Sequence, residues 1–436
     1  MTAITSKLST GKNDLGLLFK KLWAPFSTAP MLGWLVGALV AVLLEYTIGP
    51  YVAWTLGLSK IPVLFGVLII LETPILIPSA VLYVLIIYIV PIAFIAWITT
   101  PLANNLAGRL LDFRPWLAVL VHLGLFYAIL QLWAEINDYR LLVVRLTLIS
   151  IMLTLSLNVV NGYMGEFSCS HPGFMALGAY AASVFTLTLF VDDRTFGPPL
   201  LPPQLGPLLF PLGLILGGVV AALGAVIIAV PSFRTRGDYL AIISLAFMFI
   251  VKSLIENLEF VGGPRGLGSQ PDWANLPTVF AWTAICIWIT NNFVRSTLGK
   301  ALNAVRDDEI AADAMTVNTR QTKMVAFLFA AFWAGVAGGL FAHVLRYVNP
   351  GSFGLQKLAE ILAMLYFGGL NSVVGSIVGA VSFNLVSEAL RPLEIMKWII
   401  IPVIFILVMI FRPSGLIAFT EFKVLDWIRP KNRITE

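Results

Sequence analysis

The sequence predicts an all-α polytopic membrane protein, a bundle of about ten to twelve transmembrane helices with N-terminus and C-terminus both inside (N-in and C-in). Three observations carry that prediction. Hydrophobic residues make up 59% of the 436 and charged residues only 12%, about half the charged share of an ordinary soluble domain. The apolar residues gather into runs near the length, about 20 residues, that a helix needs to cross hydrocarbon. The Lys and Arg lie in short segments between those runs, with more on one side than the other.

The first thirty residues are polar and basic (Lys7, Lys12, Lys20, Lys21). They exceed a signal's basic region, and the apolar run from Met31 is too long for a signal core, so they read as a cytoplasmic tail. Spans are predicted at 31–53, 61–99, 115–133, 141–163, 172–190, 207–230, 239–258, 276–294, 324–345, 358–372, 373–390 and 398–411. The 61–99 stretch holds Glu72, Pro74, Pro78 and Pro91 and reads either as one kinked span or as a span plus a re-entrant piece. The Gly-rich 358–390 region reads as two spans or as a short hairpin.

Alternating these spans from an inside N-terminus places 18 of the 28 basic residues inside and 8 outside, with Arg145 and Lys252 within spans. The positive-inside rule then favours N-in and C-in. The texture of the chain changes near residue 140. Bulky side chains dominate before it; after it small residues recur, as in Gly173, Gly178 and Ala182, in Gly213, Gly217, Gly218 and Gly224, and in Gly335, Gly338 and Gly339. Such spacing admits close helix packing, or a dense translocation core whose helices rock. The predicted organisation is a tail and accessory transmembrane region, 1–139, and a core, 140–436.

Several chemistries are excluded. Cys169 and Cys286 are far apart, and His122, His171 and His343 are scattered, so neither a disulfide framework nor a metal site is expected. Nothing matches a phosphate-cradling G-x-x-x-x-G-K-[ST] loop; Gly299-Lys300 is followed by Ala301. No H-E-x-x-H or paired-carboxylate pattern appears, so the chain is not expected to be an enzyme. The net charge of +5 is explained by the membrane, with no nucleic-acid partner.

Polar groups within spans are functional candidates by default. Arg145 lies near a span end and is expected to snorkel. Lys252 and Glu256 are one helical turn apart and are expected to pair. Glu45 and Glu72 have no evident partner. Asn158 and Asn161 share a helix and either bond between helices or line a path. His171 suits either a packed helix end or a gate.

The longest polar segment after the tail is 295–323. Leu302, Val305, Glu309, Ala312 and Met315 recur at three- or four-residue spacing, which predicts one short amphipathic helix. It reads as a solvated connector or as a docking element for a cytoplasmic partner. On the other side, the Pro-rich loop 191–206 and the loop 259–275, with Gly262, Gly263, Pro264 and Arg265, read as connectors or as a platform for a soluble protein.

Within the polar segment, Ala304-Val305-Arg306-Asp307-Asp308 followed by Glu309-Ile310-Ala311-Ala312-Asp313-Ala314-Met315 resembles the EAA-type loop of the LivM family, membrane permeases of ATP-driven importers. Four more blocks resemble that family in order over roughly 140–418. They are Leu155 to Asn158 with Gly162 to Gly165 and Ser168 to Tyr180; Arg234 to Ile242; Gly262 to Leu267; and Arg412 to Leu416. Each block alone is weakly specific, and five in register are strongly so.

The chain departs from the family at Thr316, where Gly is usual, which predicts a different turn after the docking helix. It departs again at Ser170-His171-Pro172-Gly173-Phe174, where Pro172 suits a helix start. Apolar Met248 and Phe249 stand where relatives often have a Glu.

The resemblance implies a transport subunit for branched-chain or other neutral amino acids, multi-pass in the bacterial plasma (inner) membrane. Urea or short amides are the alternative cargo. A self-sufficient secondary transporter is disfavoured by the scarcity of unpaired carboxylates in the core, and a purely structural subunit would give no uptake defect on deletion. The implied partners are a LivH-like second permease, two cytoplasmic ATPase subunits, an extracytoplasmic substrate-binding protein and the lipid bilayer. No cofactor is expected in this chain; ATP and Mg²⁺ belong to the ATPases.

The implied coupling loop centres on Arg306, Glu309, Ala311, Ala312, Asp313 and Ala314, and Glu309→Arg is expected to abolish uptake while the protein still inserts. The candidate path is Asn158, Asn161, Ser168, His171, Gly178 and Tyr180. The candidate binding-protein contact is Gly262, Gly263, Pro264 and Arg265.

Overall fold

A computed structural model describes residues 28–58, 61–62, 73–193, 196–233, 239–412 and 414–430. The basic tail before Thr28, Glu72, the Arg234–Asp238 part of the second family-like block and Pro413 lie outside the described residues. What is described is almost entirely helical. Among the described residues, eight helices are long and apolar enough to cross a membrane, and two shorter apolar helices follow. The chain is an all-α polytopic membrane protein.

It divides into two compact units, residues 1–140 with 423–436, and residues 141–422. In the first unit, α1 is Met31–Thr55. The Pro-containing stretch becomes a continuous 40-residue helix, Pro74–Phe113, with α2 at Ile77–Val84 and α3 at Val90–Phe113. Between them the backbone widens into a π-turn, Leu85–Ile89. Pro91 has no N–H to give the carbonyl one turn back, and a π-turn just before it accommodates that loss. The loop expected after residue 99 is therefore helix as far as Phe113. At 1.5 Å per residue the whole run is roughly 60 Å long, about twice the hydrocarbon thickness. Helix α4 is Pro115–Glu135, and α16, Val424–Ile428, belongs to this unit near the end of the chain.

A charged network is buried in the first unit. Arg140 binds Glu45 through two nitrogens, at 3.1 and 2.8 Å, and also donates to the Pro62 carbonyl at 2.9 Å. The Tyr88 hydroxyl donates to Glu45, and the Trp133 indole donates to Tyr88 at 3.0 Å. Glu45 thus has a partner, and Arg140, placed in an outside loop by the charge count, is buried.

Helix α5, Asp138–Asn158, lies in the second unit from Leu141 onward and continues as a π-turn, Val159–Met164. Next come α6, His171–Phe190, α7, Gly206–Ser232, α8, Tyr239–Asn257, and α9, Leu276–Arg295. The polar segment holds α10, Thr297–Asp307, and α11, Glu309–Ala314; α12 is Thr319–Leu345. Then come α13, Leu355–Gly368, α14, Val373–Ala389, and α15, Lys397–Phe411. A two-stranded antiparallel ribbon pairs β1, Leu267–Gly268, with β2, Tyr347–Val348.

The core is the trio α6, α7 and α12, and small residues set its spacing. A Cβ added at Gly178 would strike the Gly335 backbone, one at Gly335 would meet Gly217, and one at Gly338 would strike the Met175 carbonyl. Backbones this close gain dispersion contacts that larger side chains would prevent. Helix α13, 14 residues and so roughly 21 Å long, is too short to span hydrocarbon. It turns at Gly369 and packs back on α14, with Gly368 against Gly375 and Gly379; the hairpin reading of 358–390 describes this. The segment after α15 crosses that turn, Ile417 N donating to Gly368 O at 2.8 Å. Gly415 takes a positive φ of 84° there and leaves no room for a Cβ beside Gly369.

Candidate functional site

The polar segment is two helices rather than the single amphipathic one predicted. Asp308 has extended backbone, and its carboxylate accepts from Ile310 N at 2.9 Å and Ala311 N at 3.0 Å, so it ends α10 and caps α11. An N-cap aspartate satisfies donors that a helix start leaves open. The break changes which residues are buried. Leu302, Val305 and Ala312 face inward, while Met315, expected on the same stripe, is 77% exposed, as is Ile310. Glu309, Ala311, Asp313 and Ala314 are exposed.

Thr316 takes a positive φ of 67°. Its N–H donates to Asp313 O, and that of Val317 to Ala312 O. This is the left-handed helix stop usually built on glycine. Here the turn forms on a β-branched residue, in a conformation that is strained for it.

This segment is fastened to the broken region between α5 and α6. The Lys323 ammonium donates to Glu166 at 2.7 Å and to Glu309 at 2.9 Å. The Arg306 side chain packs where a Cβ on Gly165 would sit, donates to the Gly162 carbonyl at 3.4 Å, and pairs with Asp307 at 2.7 Å. Gly165 has a φ of 78°, so the chain leaves the π-turn through a conformation that suits glycine.

The break gathers three of the candidate path residues. Asn161 Oδ1 accepts from Ser168 N at 3.2 Å, and the Ser168 hydroxyl bonds the Ser170 hydroxyl at 2.8 Å. Asn161 Nδ2 is buried and closes no hydrogen bond of ordinary geometry, with the Tyr366 side chain beside its amide. The His171 ring is fully buried. It faces the Ser156 carbonyl, and neither nitrogen closes a regular hydrogen bond. Pro172 stands in the first turn of α6, as its type predicts. Spare hydrogen-bonding capacity at a helix break is what a polar solute needs in a membrane interior.

The other three path candidates are otherwise engaged. Asn158 is committed between helices: its Nδ2 donates to Ser372 O and to Ser376 Oγ, at 2.9 and 2.7 Å, and its Oδ1 accepts from Asn371 N. Gly178 is a close-packing point against Gly335. Tyr180 reaches the Val348 carbonyl at 3.5 Å. Lys323, Glu166 and Tyr366 were missed from sequence, because nothing local distinguishes them from other polar residues near span ends. Burial raises the Cys169 thiol pKa above its ordinary value. Cys169 packs with Met248 and Leu358, which explains an apolar residue at position 248.

At the other end of the core, Gly262, Gly263 and Gly266 all have positive φ, and Cβ atoms at Gly262 and Gly266 would strike backbone oxygens. The turn is pinned by the ribbon and by the Tyr347 hydroxyl, which donates to Arg265 O. Pro264 and Arg265 are exposed on it. Arg145 does not end in free solvent: it meets Asp272 of this loop at 3.1 Å. Lys252 and Glu256 pair, at 3.8 Å.

The model of the family described as branched-chain amino acid transport system / permease component matches residues 139–411. The chain is 31% identical over 314 residues to the high-affinity branched-chain amino acid transport system permease protein LivM of Escherichia coli, covering 64% of this chain and 70% of that protein. It is 31% identical over 318 residues to the protein of the same description from Salmonella typhimurium, with the same coverage of each. No solved structure matches the chain.

Proposed function

The chain belongs to the permease-component family of branched-chain amino acid transport systems, and from that premise we propose that it forms part of the path of an ATP-driven importer for branched-chain or other neutral amino acids. It sits in the bacterial inner membrane with both termini in the cytoplasm. Its partners are a LivH-like permease, two ATPase subunits and an external binding protein. The chain carries no cofactor of its own; ATP and Mg²⁺ act in the ATPases.

The observation that carries the coupling part of this reading is helix α11. It is anchored by Ala312 and by Glu309, yet it presents Ile310, Ala311 and Met315 outward from a polar segment. Apolar side chains held outward on a rigid short helix suit a groove in a partner protein. Glu309, Arg306, Asp313 and Ala314 frame that surface. Asn161, Ser168 and His171 are the path residues the arrangement favours, and the turn at Gly262–Arg265 is the surface for the binding protein.

Glu309→Arg would disturb docking and the Lys323 pair together, so Ala311 isolates docking. Ala311→Trp adds a bulky ring to an exposed face without touching the core. In membranes expressing all subunits, it is expected to insert normally, to lose the co-purifying ATPase, and to lower leucine uptake by about tenfold or more. Wild-type uptake with the ATPase still bound would refute docking at this helix.

A further inference from the structure

We propose that Lys323 is a positioning residue that transmits movement of the docking helix to the broken segment between α5 and α6. The proposal rests on the docking reading above and adds the route by which docking reaches the path.

Lys323 lies in the first turns of α12, the helix locked into the core through Gly335 and Gly338. Its side chain is only 10% exposed, and its single ammonium holds two carboxylates from distant parts of the chain. Glu309 opens α11. Glu166 follows the π-turn and Gly165. Without the cation these two carboxylates would repel one another, and with it they become one charge-assisted cluster, the strong kind of hydrogen bond.

Arg306 makes a second strut, lying against Gly165 and reaching the Gly162 carbonyl. The docking segment therefore grips the stretch 162–166 at both ends. Asn161 immediately precedes that stretch, and Ser168 and His171 follow it within five residues. A π-turn and a left-handed glycine make this the least regular backbone along α5 and α6, so it is where a displacement of α11 is absorbed. The rigid trio behind Lys323 serves as the fixed point.

A merely structural clamp would change stability but not the relation between ATP hydrolysis and transport. The test therefore uses the whole importer reconstituted in vesicles, with the ATPases and the binding protein present, and measures substrate moved per ATP hydrolysed. Lys323→Met and Glu166→Gln are each expected to lower that ratio by about tenfold with the ATPases still bound, the scale of a coupling energy between sites. The double variant is expected to be no worse than the poorer single variant, because both remove the same link. Lys323→Arg, which can also bridge two carboxylates, is expected to restore most of the ratio.

A wild-type ratio in Lys323→Met, or additive losses in the double variant, would overturn the proposal. Should Lys323→Met fail to assemble, Glu166→Gln decides alone: a lowered ratio supports the link and an unchanged one removes it. The two readings fail separately. Ala311→Trp with wild-type uptake and its ATPase still bound refutes docking, whereas Lys323→Met with intact assembly and intact coupling refutes only the relay.

Discussion

Glu45 and Arg140 are both essentially inaccessible to solvent, and each carries a charge in a region otherwise made of apolar helix. Taking either alone into a low-dielectric interior is costly; together they satisfy most of each other's hydrogen-bonding capacity. Glu45→Leu or Arg140→Met alone is therefore expected to destabilise the protein by about 3–5 kcal/mol, because the remaining charge is stranded. The double replacement is expected to recover most of that loss. Thermal unfolding in detergent measures both, and single variants as stable as the double would refute the pairing energetics. The pair was illegible in sequence because the two residues stand 95 positions apart and neither has a local partner. Thr316 was half legible. Its position after α11 was read, but the hydrogen bonds of Thr316 and Val317 hold the turn against its strain.

Elements were read far better than single residues. Most helix bounds fall within a few positions of the predicted spans, because a helix in lipid must satisfy its own backbone and so announces itself by a local apolar run. The misses were at polar helix. Residues 100–113, which fall between predicted spans, continue α3, and Asp308 divides a segment whose periodicity suggests one helix. Capping by Asp308 competes with helix continuation, and periodicity alone does not reveal which prevails. Glycines separate into two kinds only when neighbours are known. Gly178→Ala is expected to cost about 1–3 kcal/mol, since the new methyl would press on the Gly335 backbone, which cannot move aside as a side chain can. Gly124→Ala in α4, where no atom lies within 4 Å of the added carbon, is expected to stabilise by roughly 0.5–1 kcal/mol. Unfolding midpoints of the two variants should move in opposite directions; a Gly178→Ala midpoint that does not fall would refute the packing role of Gly178.

Across the core as a whole, the connecting segments sort into two groups. Glu166, Arg306, Glu309 and Lys323 meet at one end, where Phe419 also packs its ring 5.7 Å from the Arg306 guanidinium. Arg265, Leu267, Asp272, Arg346 and Tyr347 meet at the other through the ribbon, the Arg145–Asp272 pair and the bond from Arg346 to Gln270 O. The alternation counted from the spans puts the first group on one side and the second on the opposite side, so the parity of the core agrees with its contacts. Both cysteines are buried, and burial raises the Cys169 thiol pKa, which slows its reaction with thiol reagents near neutral pH. Single added cysteines can therefore report sidedness without interference. Ala311→Cys is expected to react with a membrane-impermeant maleimide only from the cytoplasmic side, and Arg265→Cys only from outside. Labelling of both from one side would refute the topology.

The sequence by itself determined that this is a helical membrane protein, where most of its spans run, and which family it belongs to. All three follow from local apolar length and short motifs, and none depends on what folds against them. Only the tertiary structure decided what the polar residues do. It committed Asn158 to the α14 start, left Asn161 and His171 with unsatisfied capacity at a helix break, and joined Glu166, Glu309 and Lys323 across 157 positions of chain. The physical reason is that a buried charge or amide is defined by its partner, and in this protein the partners come from distant helices.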